Sequence, residues 1–90
     1  MLRQYLEHRH INLDNGLSCL ALEREYWQAL EVLAYGESWH DWRDFFYIRV
    51  LPDKPKDISL ASHVRKMVTV SLFDEYANFH SLGNVWKSVN

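Results

Sequence analysis

Histidine and cysteine are the residue types in this chain best suited to ligate a metal or to catalyse. There are five histidines, His8, His10, His40, His63 and His80, and one cysteine, Cys19. A tetrahedral zinc site draws such ligands from i, i+4 pairs on a helix or from Cys-x-x-Cys. No two histidines stand four apart and the cysteine is alone, so the sequence predicts no metal and no cofactor. As a nucleophile Cys19 would need an activating base, and a ribbon-lining thiol is the commoner state. Asp41, Asp44, Asp74 and Glu75 read as solvated helix faces rather than a carboxylate pair. Gly-rich phosphate loops and Ser-centred elbows are absent, so no enzyme is expected.

Positive charge gathers in three places: Arg3 and Arg9 with His8 and His10, Lys54 with Lys56, and Arg65 with Lys66. Each alone reads as a solvated face. Doubled by a dimer axis they would make a phosphate-contacting rim, in spite of a formal net charge of −2. Histidines that charge near pH 6 would add to it.

The elements that must position these groups are organised around Leu17 to Tyr35, where the apolar period changes from about two to about 3.6 residues. Ser18, Leu20 and Leu22 share one face of a strand and Leu17, Cys19 and Ala21 the other, with Asp14-Asn15-Gly16 as a turn or entry signal. Trp27, Leu30, Leu33 and Ala34 then form a helical stripe flanked by Tyr26, Ala29 and Val32, and Gly36 is the expected left-handed stop. Residues 1–16 read as an N-terminal arm that has the makings of a short helix, and residues 17–90 as a single domain. The strand has no evident partner in its own chain. A second copy of the same strand is therefore expected beside it, as an antiparallel intermolecular ribbon of Ser18 to Leu22.

Downstream, Ser38 is the expected N-cap of a second helix, in which Trp39, Trp42, Phe45, Phe46 and Val50 recur at helical spacing. The run Phe45 to Leu51 also reads as a strand, and the sequence leaves both open. Leu51 to Asp57, with Pro52 and Pro55, is a loop. A third helix begins after Ser59 with Leu60, Val64, Met67, Val68, Ser71 and Leu72 on its apolar stripe, and His63, Arg65, Lys66 and Thr69 elsewhere. Phe73, Tyr76, Phe79 and Leu82 extend it towards Gly83, and Trp86 is placed to clamp back onto the core. The expected fold is mainly α with a short N-terminal strand and an additional C-terminal helix. Its dimer core would be Leu20, Leu22, Trp27, Leu30, Trp42 and Phe46.

Ninety residues with 48% apolar content and four tryptophans suit one packed domain that gains from dimerisation. No apolar run approaches the ~20 residues that span a bilayer, and Met1 to His10 lacks a secretory pattern, so a cytoplasmic protein without a membrane partner is expected.

The order strand, helix, Gly-x-Ser, helix, together with LALEREYWQALEVLA and SLASHVRKMV, resembles the ribbon-helix-helix family of small dimeric DNA-binding repressors. The resemblance covers Leu17 to Leu72. It implies a homodimeric transcriptional regulator whose ribbon enters the major groove of double-stranded DNA. Leu17, Cys19 and Ala21 match the base-facing positions, Leu20 and Leu22 the core-facing ones, and Gly36, Ser38 and Trp39 the phosphate-holding turn. Arg9, Lys54, Lys56, Arg65 and Lys66 would supply further phosphate contacts. The chain departs from the family in two ways. Leu, Cys and Ala offer bases only methyl contacts or a weak thiol, and Glu37 beside the turn would repel a phosphate. The alternative is a protein-interaction module that keeps the dimeric scaffold and binds a protein partner instead of DNA.

Overall fold

The computed structural model describes residues 5–79. Leu82, Gly83 and Trp86, and with them the expected clamp, lie outside the described residues, as do Arg3 and His80.

The described residues open with a β-hairpin. Strand β1, Leu6–Leu13, pairs antiparallel with β2, Gly16–Glu23, in the register Leu13↔Gly16, Ile11↔Ser18, Arg9↔Leu20, Glu7↔Leu22. The expected arm is thus a strand, and the partner assigned to a second molecule stands in the same chain. Asp14 and Asn15 form a two-residue turn in which neither takes a positive φ; Gly16 does, at 119°, where a side chain is strained whatever the space around it. Inward positions of β1 are Glu7, Arg9, Ile11 and Leu13, and those of β2 are Ser18, Leu20 and Leu22, as the period of two requires.

Helix α1, Arg24–Gly36, follows β2 without a loop and buries Trp27, Leu30, Leu33 and Ala34. Gly36 is helical rather than the left-handed stop. That conformation falls on Ser38, at φ 69°. Ser38 N–H donates to Tyr35 O and Trp39 N–H to Ala34 O, both at 2.9 Å, which closes a Schellman turn with a serine in the place that usually holds glycine. Ser38 therefore ends one helix and does not start the next. Asp41 is the N-cap, accepting from Arg43 N–H at 2.9 Å.

Helix α2 starts at Trp42–Phe45, runs on as a π turn over Phe46–Val50 and tightens to a 3-10 turn over Leu51–Asp53. The helical reading of this β-prone run is the one observed. Phe45, Phe46 and Val50 are buried while Ile48 is 59% exposed, a pattern no strand of period two would give. Helix α3, Leu60–Phe79, is capped by Ser59, whose Oγ accepts from Ser62 N–H at 3.1 Å.

The core gathers Ile11, Leu20 and Leu22 from the hairpin, Trp27, Leu30, Leu33 and Ala34 from α1, Phe45, Phe46 and Val50 from α2, and Val64 and Val68 from α3. Five of the six residues expected in a dimer core are buried in this single-chain core, and Trp42 is half-buried against it. They are already spent on folding one copy. His63, expected off the apolar stripe of α3, is buried. Its Nε2 lies 2.8 Å from Val50 O, and because a carbonyl can only accept, that nitrogen carries the proton. Among the described residues no helix is long and apolar enough to cross a membrane.

Candidate functional site

The hairpin turns one face away from the core. On β1 this face carries His8, His10 and Asn12, all exposed. Opposite them on β2 stand Ala21, Cys19 and Leu17 in the pairs His8↔Ala21, His10↔Cys19 and Asn12↔Leu17. The apolar strip expected there is present, with Leu17 at 68% exposure and Cys19 an exposed free thiol. Its polar neighbours were read as part of an arm and not as members of this face. The available signal was the turn Asp14-Asn15-Gly16, which calls for a strand on its N-terminal side as well. Although His8, His10 and Cys19 share this face, no group of three potential metal ligands comes close enough to hold an ion among the described residues.

Among the described residues the most densely partnered cation lies on the inward face of β1. Arg9 bonds Glu7 and Glu31, its Nη2 lying 2.7 and 2.8 Å from their carboxylates. Its guanidinium is 4.6 Å from the centroid of Trp27 and 5.2 Å from that of Trp42. Burial alone would lower the Arg9 pKa, but the hydrogen bonds and charges of Glu31 and Glu7 outweigh it and raise it. Trp27 in turn donates its indole N–H to Glu7 O at 2.8 Å, and Tyr47 Oη accepts from Asn12 N–H at 2.8 Å. The hairpin is thus tied to α1 and α2 by polar bonds as well as by Ile11 and Leu22.

Arg65 is similarly occupied. Its Nε donates to Glu23 at 2.8 Å and its guanidinium lies 5.8 Å from the Tyr26 ring. The Arg65 hydrogen bond, helped by the backbone of Glu23 itself, holds the Glu23 carboxyl below the usual carboxylate range. Arg9 and Arg65, expected as phosphate contacts, are thus both paired with carboxylates of their own chain. The amides of Ser38 and Trp39, expected to hold a phosphate, donate to α1 carbonyls. Gly36 lies inside α1, and at the start of α2 the Arg43 amide donates to the carboxylate of Asp41. Lys56 and Lys66 remain exposed, and the Lys54 ammonium donates to Pro55 O at 2.8 Å.

Two concave surfaces flank these residues. An apolar groove of about 400 Å³ runs between α1 and α3, lined by Glu25, Tyr26, Ala29, Val68, Thr69, Leu72 and Phe73. A second cavity, of about 530 Å³, lies where α1 turns into α2, against Glu31, Tyr35, Trp39, His40, Asp41 and Trp42.

A β-hairpin followed by three helices, with one ribbon face turned away from the core, defines a small β-α fold. Comparison with protein-family models, with curated proteins and with solved structures finds no match in any of the three.

Proposed function

We propose that this protein is a homodimeric, ribbon-helix-helix-like DNA-binding regulator whose hairpin itself is the reading element. The observation that carries this reading is the row His8, His10 and Asn12 on the open ribbon face. A two-stranded ribbon fits the major groove, and these side chains offer the donors and acceptors that Leu17, Cys19 and Ala21 lack. Alternate residues on a strand are ~6.8 Å apart and base pairs rise ~3.4 Å, so each successive side chain would meet every second base pair. Asn12 suits a bidentate bond to adenine, and the histidines suit acceptors on guanine.

This placement bears on the dimer. Pairing two copies edge to edge along Ser18 to Leu22 would widen the sheet to four strands, about 14 Å across at ~4.8 Å per strand, against a groove ~12 Å wide. Self-association is better placed on the apolar groove of Tyr26, Ala29, Val68, Leu72 and Phe73, which leaves the ribbon free. Lys56 and Lys66 would be the phosphate contacts.

A second reading, the protein-interaction module, is favoured by one observation: Arg9, Arg43, Arg49 and Arg65 are all paired with carboxylates, which leaves little charge for a phosphate backbone. Competition between candidate operator and random duplex across a salt series separates the two, with light scattering to count subunits. The DNA reading expects selective binding that the triple variant His8→Ala, His10→Ala, Asn12→Ala abolishes without lowering Tm, since all three side chains are exposed. Absence of binding at low salt refutes it and leaves the protein-interaction module.

A further inference from the structure

We infer that the cavity between α1 and α2 is a receptor for an arginine side chain presented by a protein partner. The cavity of about 530 Å³ has aromatic walls, Tyr35, Trp39 and Trp42, and two carboxylates at its rim, Glu31 and Asp41. Aromatic faces attract cations through the ring quadrupole, and a nearby carboxylate adds directional hydrogen bonds. The combination selects a planar guanidinium, which can stack and bond at once, over a compact ammonium.

The chain already uses this chemistry beside the cavity. Trp42 receives two of its own guanidinium groups, Arg9 at 5.2 Å and Arg43 at 4.8 Å from the ring centroid, with Glu31 and Asp41 as their counter-ions. Trp42 is therefore occupied, whereas Tyr35, 83% exposed, and the half-buried Trp39 offer ring surface to a third. Each carboxylate has oxygen to spare. Glu31 meets Arg9 through Oε1, Asp41 meets Arg43 through Oδ1, and the two side chains are 46% and 49% exposed. A smaller recess lined by Tyr35, Ser38, Trp39 and His40 adjoins the cavity, which gives the stem and backbone of the incoming residue a path across Trp39. Because the turn amides are consumed within the chain and the spare oxygens at the rim are carboxylate acceptors, an anion is disfavoured where the family resemblance would place a phosphate.

The test titrates the full chain with N-acetyl-arginine methylamide and, as the uncharged isostere, N-acetyl-citrulline methylamide, following the indole N–H resonances by NMR. The expected result is saturable movement of the Trp39 signal by the arginine probe, with a dissociation constant of about a millimolar, and at least fivefold weaker binding of citrulline. The variant Asp41→Asn keeps the N-cap, since Asn caps as well as Asp, yet removes the charge, and should weaken arginine binding about threefold. Tyr35→Ala touches no core contact and should weaken it about fivefold. Equal binding of the two probes, or arginine binding that survives both variants in folded protein, overturns the inference. So does the absence of saturable movement up to tens of millimolar. A lysine probe that binds as well as arginine would overturn the preference for a planar cation. None of these outcomes depends on whether the hairpin binds DNA.

Discussion

Truncating Arg9 to alanine should lower stability by about 2–3 kcal/mol, although arginine on a strand is commonly a solvated residue. The figure follows from what the guanidinium touches. Its stacking on Trp27 and Trp42, at 4.6 and 5.2 Å, contributes roughly 1 kcal/mol or more at a half-buried site. The bonds to Glu7 and Glu31 must be discounted because those carboxylates are 39% and 46% exposed, leaving about 0.5 kcal/mol each. The aliphatic stem of this side chain, 23% exposed, adds roughly 0.5–1 kcal/mol. In a domain of this size 1 kcal/mol corresponds to about 4–8 °C, so Tm should fall by roughly 10–20 °C in a thermal scan followed by far-UV circular dichroism. Arg9→Lys keeps the charge but not the planar stack and should recover less than half of the loss. A double-mutant cycle with Glu31→Gln should return a coupling near 0.5 kcal/mol. If Arg9→Ala shifts Tm by less than about 3 °C, the hairpin is not clamped through this residue and the internal role argued for it is wrong.

Gly16→Ala should destabilise by about 1–2 kcal/mol in urea melts; nothing lies within 4 Å of an added Cβ, so the cost is the φ of 119° itself, and an unchanged midpoint would show that the turn rearranges freely. Ser38→Gly should stabilise by roughly 0.5–1 kcal/mol, because it relieves a left-handed serine in the Schellman turn; a lower Tm would contradict that assignment. The folded pKa of Glu23 is depressed by Arg65, so its contribution is present above the unfolded carboxylate pKa and is lost as pH falls through the folded value. Glu23→Gln should accordingly flatten the acid limb of a stability-versus-pH curve, and an unaltered limb would count against the Glu23–Arg65 pair.

Legibility from sequence varied along the chain for physical reasons. The passage from β2 to α1 was readable because both periods are written in apolar residues: Leu20 and Leu22, then Trp27, Leu30, Leu33 and Ala34, are the buried positions. Strand β1 was missed because its inward face begins Glu7, Arg9. Alternation of hydrophobicity cannot reveal a strand whose buried side carries an ion pair, and Arg9 faces inward only because Trp27, Trp42 and Glu31 converge to receive it. From that omission came the reading of Ser18 to Leu22 as a strand without a partner in its own chain. Ser59 announced α3 correctly because its cap is local. Ser38 misled because Ser suits an N-cap in general, while here the backbone of α1 claims the following amides first. On the candidate site, Leu17, Cys19 and Ala21 were placed on the right face. The histidines and Asn12 beside them required knowledge of the register, which no single strand contains.

The π turn of α2 has a meaning in chain length. Such a turn closes from Leu51 N–H to Phe46 O and so holds one residue more than an α turn of the same reach. That makes Phe46–Val50 an α-helical turn with an insertion already accommodated, and the residue it can spare is Ile48, 59% exposed between the buried Phe46 and Val50. A chain lacking Ile48 should close the turn in α geometry with Val50 still on the core side. Natural length variation in proteins built on this plan should then concentrate within these five positions rather than in the strands.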